Sequence, residues 1–195
     1  MGKYIRNLYL RDEKAFTAFN KCGNLTKEHL NKLDISDTRI KNYCRENYIE
    51  KVSYSVKNET ENRVAYRLTD AGREIASEKF ALSNFNQSLS VRHNIDVAEK
   101  YMSLSQEERE TVLNEREVRE LVQEQINSIE QQQERDRYQE MLDGGRMSMP
   151  DMVYKSETGT VIAYETITNN YGETEIRAKE ETCEFLKIEL ETNKI

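Results

Sequence analysis

One proline, Pro150, stands in a chain of 195 residues, with only seven glycines beside it. Proline and glycine are the residues that cost most inside a helix. A chain so poor in breakers, with 33% charged residues, reads as mainly helical. Its apolar supply limits what it can build. Leu, Ile, Val and Phe together number 42, just above the level at which disorder becomes the default. That suffices for one or two small cores, not one large one, and the length fits one domain or two small ones. No apolar run approaches the roughly 18 residues of a membrane span. The N-terminus, MGKYIRNLYLRDEK, has no leader-like apolar core, so no membrane partner and a cytoplasmic location are expected. Cys22, Cys44 and Cys183 are odd in number and match no zinc spacing, which suits reduced, buried thiols.

The net charge is -7, but it is unevenly spread. Residues 1–80 carry 16 Lys+Arg and 12 Asp+Glu, whereas residues 81–195 carry 13 and 24. An acidic total hides a basic N-terminal third, and such asymmetry points to nucleic-acid contact there.

The N-terminal third has a periodicity to match. Ala15, Phe16 and Phe19 have helical spacing, and Gly23 with Asn24 stops that helix. Thr26 caps a short helix, Lys27 to Leu33, with Leu30 and Leu33 inward and His29 exposed. Ser36 or Asp37 caps a third helix to about Asn47, whose apolar stripe is Ile40, Tyr43, Cys44 and Tyr48. Thr38, Arg39, Lys41, Asn42 and Arg45 project from the opposite face, side chains suited to phosphates and base edges. Two alternating runs, Ile49 to Val56 and Arg63 to Leu68, flank a polar tip and predict a β-hairpin. Lys57 and Arg63 would touch the DNA backbone or minor groove. Thr69 caps a further helix, Asp70 to Lys79. This order is that of a winged helix-turn-helix, whose third helix enters the major groove, and YRLTDAGREIA resembles the wing-to-helix joint of bacterial winged-helix regulators. A protein-contacting module is the alternative for the same region, since a basic helix face is commonly just solvated.

The middle reads as helical. Residues 90–104, SVRHNIDVAEKYMSL, have mostly helical apolar spacing, with His93 as a cap or packed residue. Ser105 caps Gln106 to Leu113. Asn114 to Leu142 contains no glycine or proline. Val118, Leu121, Val122, Gln125, Ile126 and Ile129 form its stripe. The polar EQQQERDRYQE after it is either a solvated extension or needs a partner helix. Homodimerisation through these helices and an intramolecular hairpin are equally open.

In the C-terminal third, two β-rich runs flank Glu157-Thr158-Gly159. A three-residue loop with Gly last pairs Ser156 with Thr160, and the same register pairs Asp151 with Glu165. Carboxylates about 5 Å apart on one face can share a cation such as Mg²⁺. Asp151 and Glu165 are therefore the candidate catalytic and metal residues. The alternative gives them structural duties, Asp151 starting a strand and Glu165 paired with Arg177 or Arg146. The segments PDMVY and VIAYE resemble a PD-(D/E)XK nuclease core. More narrowly, the order of a winged helix, SVRHNIDV, LNEREVREL and PDMVY…VIAYE is similar to the replication-relaxation family of plasmids and other mobile elements. The resemblance implies metal carboxylates at Asp151 and Glu165, and a helix acid at Glu115 or Glu117. It places a lysine at position 167, where this chain has Ile167; Lys179 or Arg177 would have to substitute. The chain is expected to end on one amphipathic helix (Ile176, Cys183, Leu186, Leu190), without the final strand of such a core.

These readings combine into an α+β, mainly helical protein: residues 1–80 a winged helix-turn-helix, 81–145 a long helical middle serving as connector or dimerisation region, and 146–195 a small β-hairpin and helix of degenerate nuclease type. The expected function is sequence-specific binding of double-stranded DNA by a protein of a plasmid, phage or conjugative element, acting in replication, transfer or transcription control. No cofactor is required. A metal-dependent nuclease, the one case that would need Mg²⁺, is the first alternative. An acidic inhibitor of a host protein is the second, and a host or element-encoded protein partner is open.

Overall fold

Polar side chains at helix starts set many of the element boundaries. Thr26, Ser36, Thr69, Ser90, Ser105 and Asn114 each accept a hydrogen bond from a backbone N–H of the turn that follows. Such caps satisfy donors that a helix start otherwise leaves bare. The computed structural model describes residues 4–56, 61–168 and 171–195. The protein is mixed α and β and divides into two compact units, Met1–Leu104 and Ser105–Ile195. The first carries 18 Lys+Arg and 14 Asp+Glu, the second 11 and 22, so the charge asymmetry follows the division into units.

The first unit runs α1 (Leu10–Cys22), β1 (Asn24–Leu25), α2 (Lys27–Lys32), α3 (Asp37–Arg45), β2 (Ile49–Tyr54), β3 (Arg63–Leu68), α4 (Asp70–Phe80) and α5 (Val91–Ser103). Its antiparallel sheet has the order β1-β3-β2. The two-residue β1 pairs Leu25 with Tyr66, and β2 pairs Ile49 with Leu68 and Lys51 with Tyr66. Phe16 lies at the centre, its ring 5.5 Å from that of Tyr43 and 5.7 Å from that of Phe80. Leu25, Leu30, Ile35, Ile49, Val97 and Ala98 close the core around it. α5 is tied in by Asn94, whose amide donates to Asn24 Oδ1 at 2.8 Å and Ser88 O at 3.0 Å. Gly72 explains the glycine of TDAGREIA. A Cβ there would stand 1.9 Å from the carbonyl oxygen of Tyr48, so only glycine lets α4 approach the corner between α3 and β2.

The second unit runs α6 (Gln106–Glu110), β4 (Leu113–Asn114), α7 (Glu115–Ser128), α8 (Gln132–Asp143), β5 (Met152–Lys155), β6 (Val161–Ile167), α9 (Glu173–Leu186) and β7 (Glu189–Lys194). Its sheet has the order β4-β5-β6-β7. Val118, Val122 and Ile126, four residues apart on α7, pack with Met141, Leu142, Met147, Met149 and Val153. The Tyr138 and Phe185 rings pack tilted by 51°, their centroids 4.6 Å apart. The β5–β6 register is the one expected from the loop: Met152↔Tyr164 through Lys155↔Val161. The Ser156 N–H donates to Thr160 O at 2.8 Å, and Gly159 takes φ 87°.

Several expectations are corrected. The stretch from 114 to 142 is two helices, because the apolar stripe ends at Ile126 and the chain reverses at residues 129–131. Gln123 then meets Gln139 at 2.7 Å, and Arg135 donates to Ile129 O at 3.2 Å, so α7 and α8 form an antiparallel hairpin within the chain. The last helix stops at Leu186, where Lys187 adopts the left-handed conformation with φ 58°. Leu190 therefore lies on a strand where none was expected: β7 runs parallel to β6, Ile162↔Glu189 to Ile167↔Lys194. The helical middle is shared, α5 packing in the first unit and α6 to α8 in the second. Among the described residues, no helix is long and apolar enough to cross a membrane.

Candidate nucleic-acid interface and a buried ionic cluster

α3 begins at the Ser36 cap, whose hydroxyl accepts from the Arg39 N–H, and turns Ile40 and Tyr43 into the core. Thr38, Lys41, Asn42 and Arg45 then fall at intervals of three and four residues, one outward face. Thr38, Lys41 and Arg45 are exposed and Asn42 is half-buried. A groove borders this face, lined by Asp37, Ile40, Lys41, Cys44 and Arg45 of α3 together with Lys27, Lys51 and Tyr66. Lys27 also pairs with Asp37 at 2.7 Å, which raises its pKa. A second groove along the hairpin is lined by Lys27, Lys51, Tyr66 and Arg63 and also by the carboxylates Glu28 and Glu99, so the surface between α3 and Arg63 is of mixed charge. Lys57 lies outside the described residues.

Arg39 is not part of the outward face. It stands four residues before Tyr43, and its guanidinium turns inward to the buried carboxylate of Asp12 at the start of α1. Nε and Nη2 donate to the two carboxylate oxygens at 2.8 Å each. Tyr43 Oη and the Tyr9 N–H donate to the same carboxylate, the latter at 2.7 Å. Burial opposes the Arg39 charge, yet its bonds to Asp12 and Tyr43 outweigh that, and its pKa is raised. Burial and Asp12 also push the Tyr43 phenol up. Arg39 is thus a positioning residue that fixes α3 against α1. His29, expected to be exposed, is buried: Nδ1 accepts from the Thr26 N–H at 3.3 Å, and Nε2 lies 2.9 Å from Glu99 Oε1 in an alignment poor for a hydrogen bond.

In the second unit the hairpin register does bring Asp151 and Glu165 together. Each receives a backbone N–H from the other strand: Asp151 N–H donates to Glu165 Oε2 at 3.0 Å, and Thr166 N–H to Asp151 Oδ2 at 2.8 Å. Lys179, from α9, puts its ammonium 3.0 Å from Glu165 Oε1 and donates to Met149 O. Tyr171 donates to the same Glu165 oxygen at 2.7 Å. Arg177 and Arg146 are exposed, and Arg177 instead lies 3.8 Å from Glu181. Desolvation and the neighbouring Asp151 raise the Glu165 pKa, against the pull of Lys179 and Tyr171. Burial and Glu165 raise that of Tyr171. Glu117 is occupied as a cap, accepting from the Asn114 N–H at 2.8 Å, while Glu115 is exposed.

A divalent cation prefers carboxylate oxygens free to face it. Here both oxygens of Glu165 and Oδ2 of Asp151 face protein donors, and the Lys179 ammonium supplies a countercharge. The donor set suits a buried hydrogen-bonded cluster, its charge offset in part by Lys179, rather than a cation site. Among the described residues, no group of three or more His, Cys, Asp or Glu could hold a metal ion.

The sequence reading missed Lys27 and Lys51 on the groove. Lys51 was obscured because the alternation in IEKVSYSV highlights Val52 and Tyr54, whereas Lys51 shares a face with Tyr66. The Arg39 role did leave a signal, a basic residue four positions before a buried tyrosine, with an unexplained Asp12 in the first turn of α1. No protein-family model matches the chain, and no curated protein and no solved structure matches it either.

Proposed function

We propose that the first unit is a winged helix-turn-helix that binds double-stranded DNA, with α3 in the major groove. The protein then acts as a DNA-binding factor of a mobile element, in replication, transfer or transcription control. The observation that carries this is the single outward face Thr38, Lys41, Asn42 and Arg45, flanked by Lys27 and Lys51. Ammonium and guanidinium groups neutralise phosphates, and the amide and hydroxyl reach base edges. The element order α1-β1-α2-α3-β2-β3-α4, with β3 between β1 and β2, supports the winged-helix assignment. The excess of carboxylates in the second unit supports confining the contact to the first, because like charges repel. Kinship with the replication-relaxation family rests on the order of the sequence features.

The experiment is selection of bound duplexes from a random pool by the full chain, with the mass of the complex measured in parallel. An enriched motif supports the proposal, and a palindromic one bound by two copies extends it to a homodimer. A chain that enriches no duplex at low salt is not a DNA-binding protein of this kind.

A further inference from the structure

The chain ahead of α1 is laid along α3. The Tyr4 and Ile5 N–H groups both donate to Glu46 Oε1, the Ile5 bond being 3.2 Å. The Asn7 carbonyl accepts from Arg39 Nη2 at 2.8 Å. Residues 4–7 thus run from the C-terminal end of α3 back towards its N-terminal end. Ile5 is buried, so in an extended segment its neighbours Tyr4 and Arg6 turn outward, and both are exposed. The Arg45 guanidinium lies 5.0 Å above the Tyr4 ring, and that of Arg11 lies 5.5 Å from Tyr9.

Holding a short terminal arm in place costs conformational entropy, and here that cost is met by a carboxylate, an arginine and a buried isoleucine. The result places Tyr4 under Arg45 of α3 and leaves Arg6, two residues on, and Arg11, in the first turn of α1, exposed. Two carboxylates beside the arm are occupied: Glu46 accepts the arm's own N–H groups, and Asp12 is buried against Arg39. Stacking on an aromatic ring covers the face of a guanidinium but leaves its in-plane N–H donors directed outward and its rotamer restricted. Among the described residues, Arg6, Arg11, Lys41 and Arg45 are all exposed, and exposed cations held on a pre-arranged surface are complementary to a polyanion.

We infer that the N-terminal arm, residues 4–9, together with the first turn of α1 is a second nucleic-acid contact, with Arg6 and Arg11 gripping the phosphate backbone of duplex DNA beside the groove that α3 enters and Tyr4 holding Arg45 in position. The inference rests on the DNA-binding function proposed above. Arg6 and Arg11 touch phosphates and carry no sequence information, so they raise affinity for all duplexes alike.

The test is duplex binding by the full chain, wild type, Lys41→Glu, and the Arg6→Ala/Arg11→Ala double variant, over a salt series on a selected and an unrelated duplex. Thermal unfolding confirms that each variant is folded. The arm contact predicts that the double variant loses affinity by a similar factor on both duplexes, with the slope of log K against log salt smaller by roughly 2, about 1 per lost phosphate contact. If Lys41→Glu weakens binding while the double variant keeps wild-type affinity and slope, the arm contact is overturned and the function stands. If the wild type binds neither duplex at low salt, both fall.

Discussion

Arg39 grips the carboxylate of Asp12 through two hydrogen bonds of 2.8 Å each, joining α3 to α1 across 27 residues of sequence. Asp12 is fully buried, so removing it strands the inward-facing guanidinium and the Tyr43 hydroxyl. Asp12→Ala is expected to destabilise the first unit by about 3–5 kcal/mol, the usual cost of breaking a buried ion pair from one side. Lys41→Ala and Arg45→Ala should change stability by no more than about 0.5 kcal/mol, because they remove exposed side chains. Denaturant titration of the three variants separates the residue that holds α3 from those that face outward.

Gly72→Ala addresses the joint between α4 and the sheet. The added methyl would meet the Tyr48 carbonyl, which also accepts the Thr69 N–H at 3.1 Å. Helix propensity alone would favour alanine. The close approach should reverse that, with a loss of about 1–3 kcal/mol, read as a lowered melting temperature.

The cluster of Asp151, Glu165, Lys179 and Tyr171 is expected to behave as a structural ion pair. Glu165→Ala should cost about 3–5 kcal/mol by leaving Lys179 buried and unpaired. Glu165→Gln combined with Lys179→Met should recover much of the loss, and the double-mutant cycle measures the coupling. Incubation of branched and supercoiled DNA with Mg²⁺ or Mn²⁺ should give no cleavage. Cleavage abolished by Asp151→Ala would restore the nuclease alternative.

The legible parts of this chain are those where local chemistry and tertiary demand coincide. Turn length and Gly159 determine the β5–β6 register, and so the meeting of Asp151 with Glu165 could be read from spacing alone. The Thr26, Ser36 and Thr69 caps locate α2, α3 and α4. Four features lay beyond local rules. β1 is two residues long and exists only because β3 is there to pair with it. The break between α7 and α8 contains neither glycine nor proline, and follows from the need to bring Met141 and Leu142 back onto Val122 and Ile126. α9 ends at a lysine in the left-handed conformation rather than at a glycine, which hid β7. The ammonium beside Glu165 comes from α9, fourteen residues away rather than two, a proximity that no strand motif encodes.

Burial pushes the Cys183 thiol up to about 11 from an ordinary 9. A group whose folded value is raised contributes stability that is complete below its unfolded value and is lost as pH rises through the folded one. The contribution of Cys183 is therefore intact below pH 9 and declines between 9 and about 11. Comparing wild type with Cys183→Ala from pH 8.5 to 10 should show a steeper loss in the wild type, over a range that precedes titration of the Tyr43 phenol, itself pushed up by burial and Asp12. Parallel slopes would mean that the thiol is not sequestered.

The central claim, that α3 presents Lys41 and Arg45 to duplex DNA, is tested most directly by fluorescence anisotropy of a labelled duplex with the full chain at low and moderate salt. Wild-type protein should bind, with affinity falling steeply as salt rises because condensed counterions are released. Lys41→Glu with Arg45→Glu should abolish binding while leaving the melting temperature near the wild-type value. A wild type that does not bind at low salt, or a folded double variant that binds as tightly as wild type, would contradict the claim.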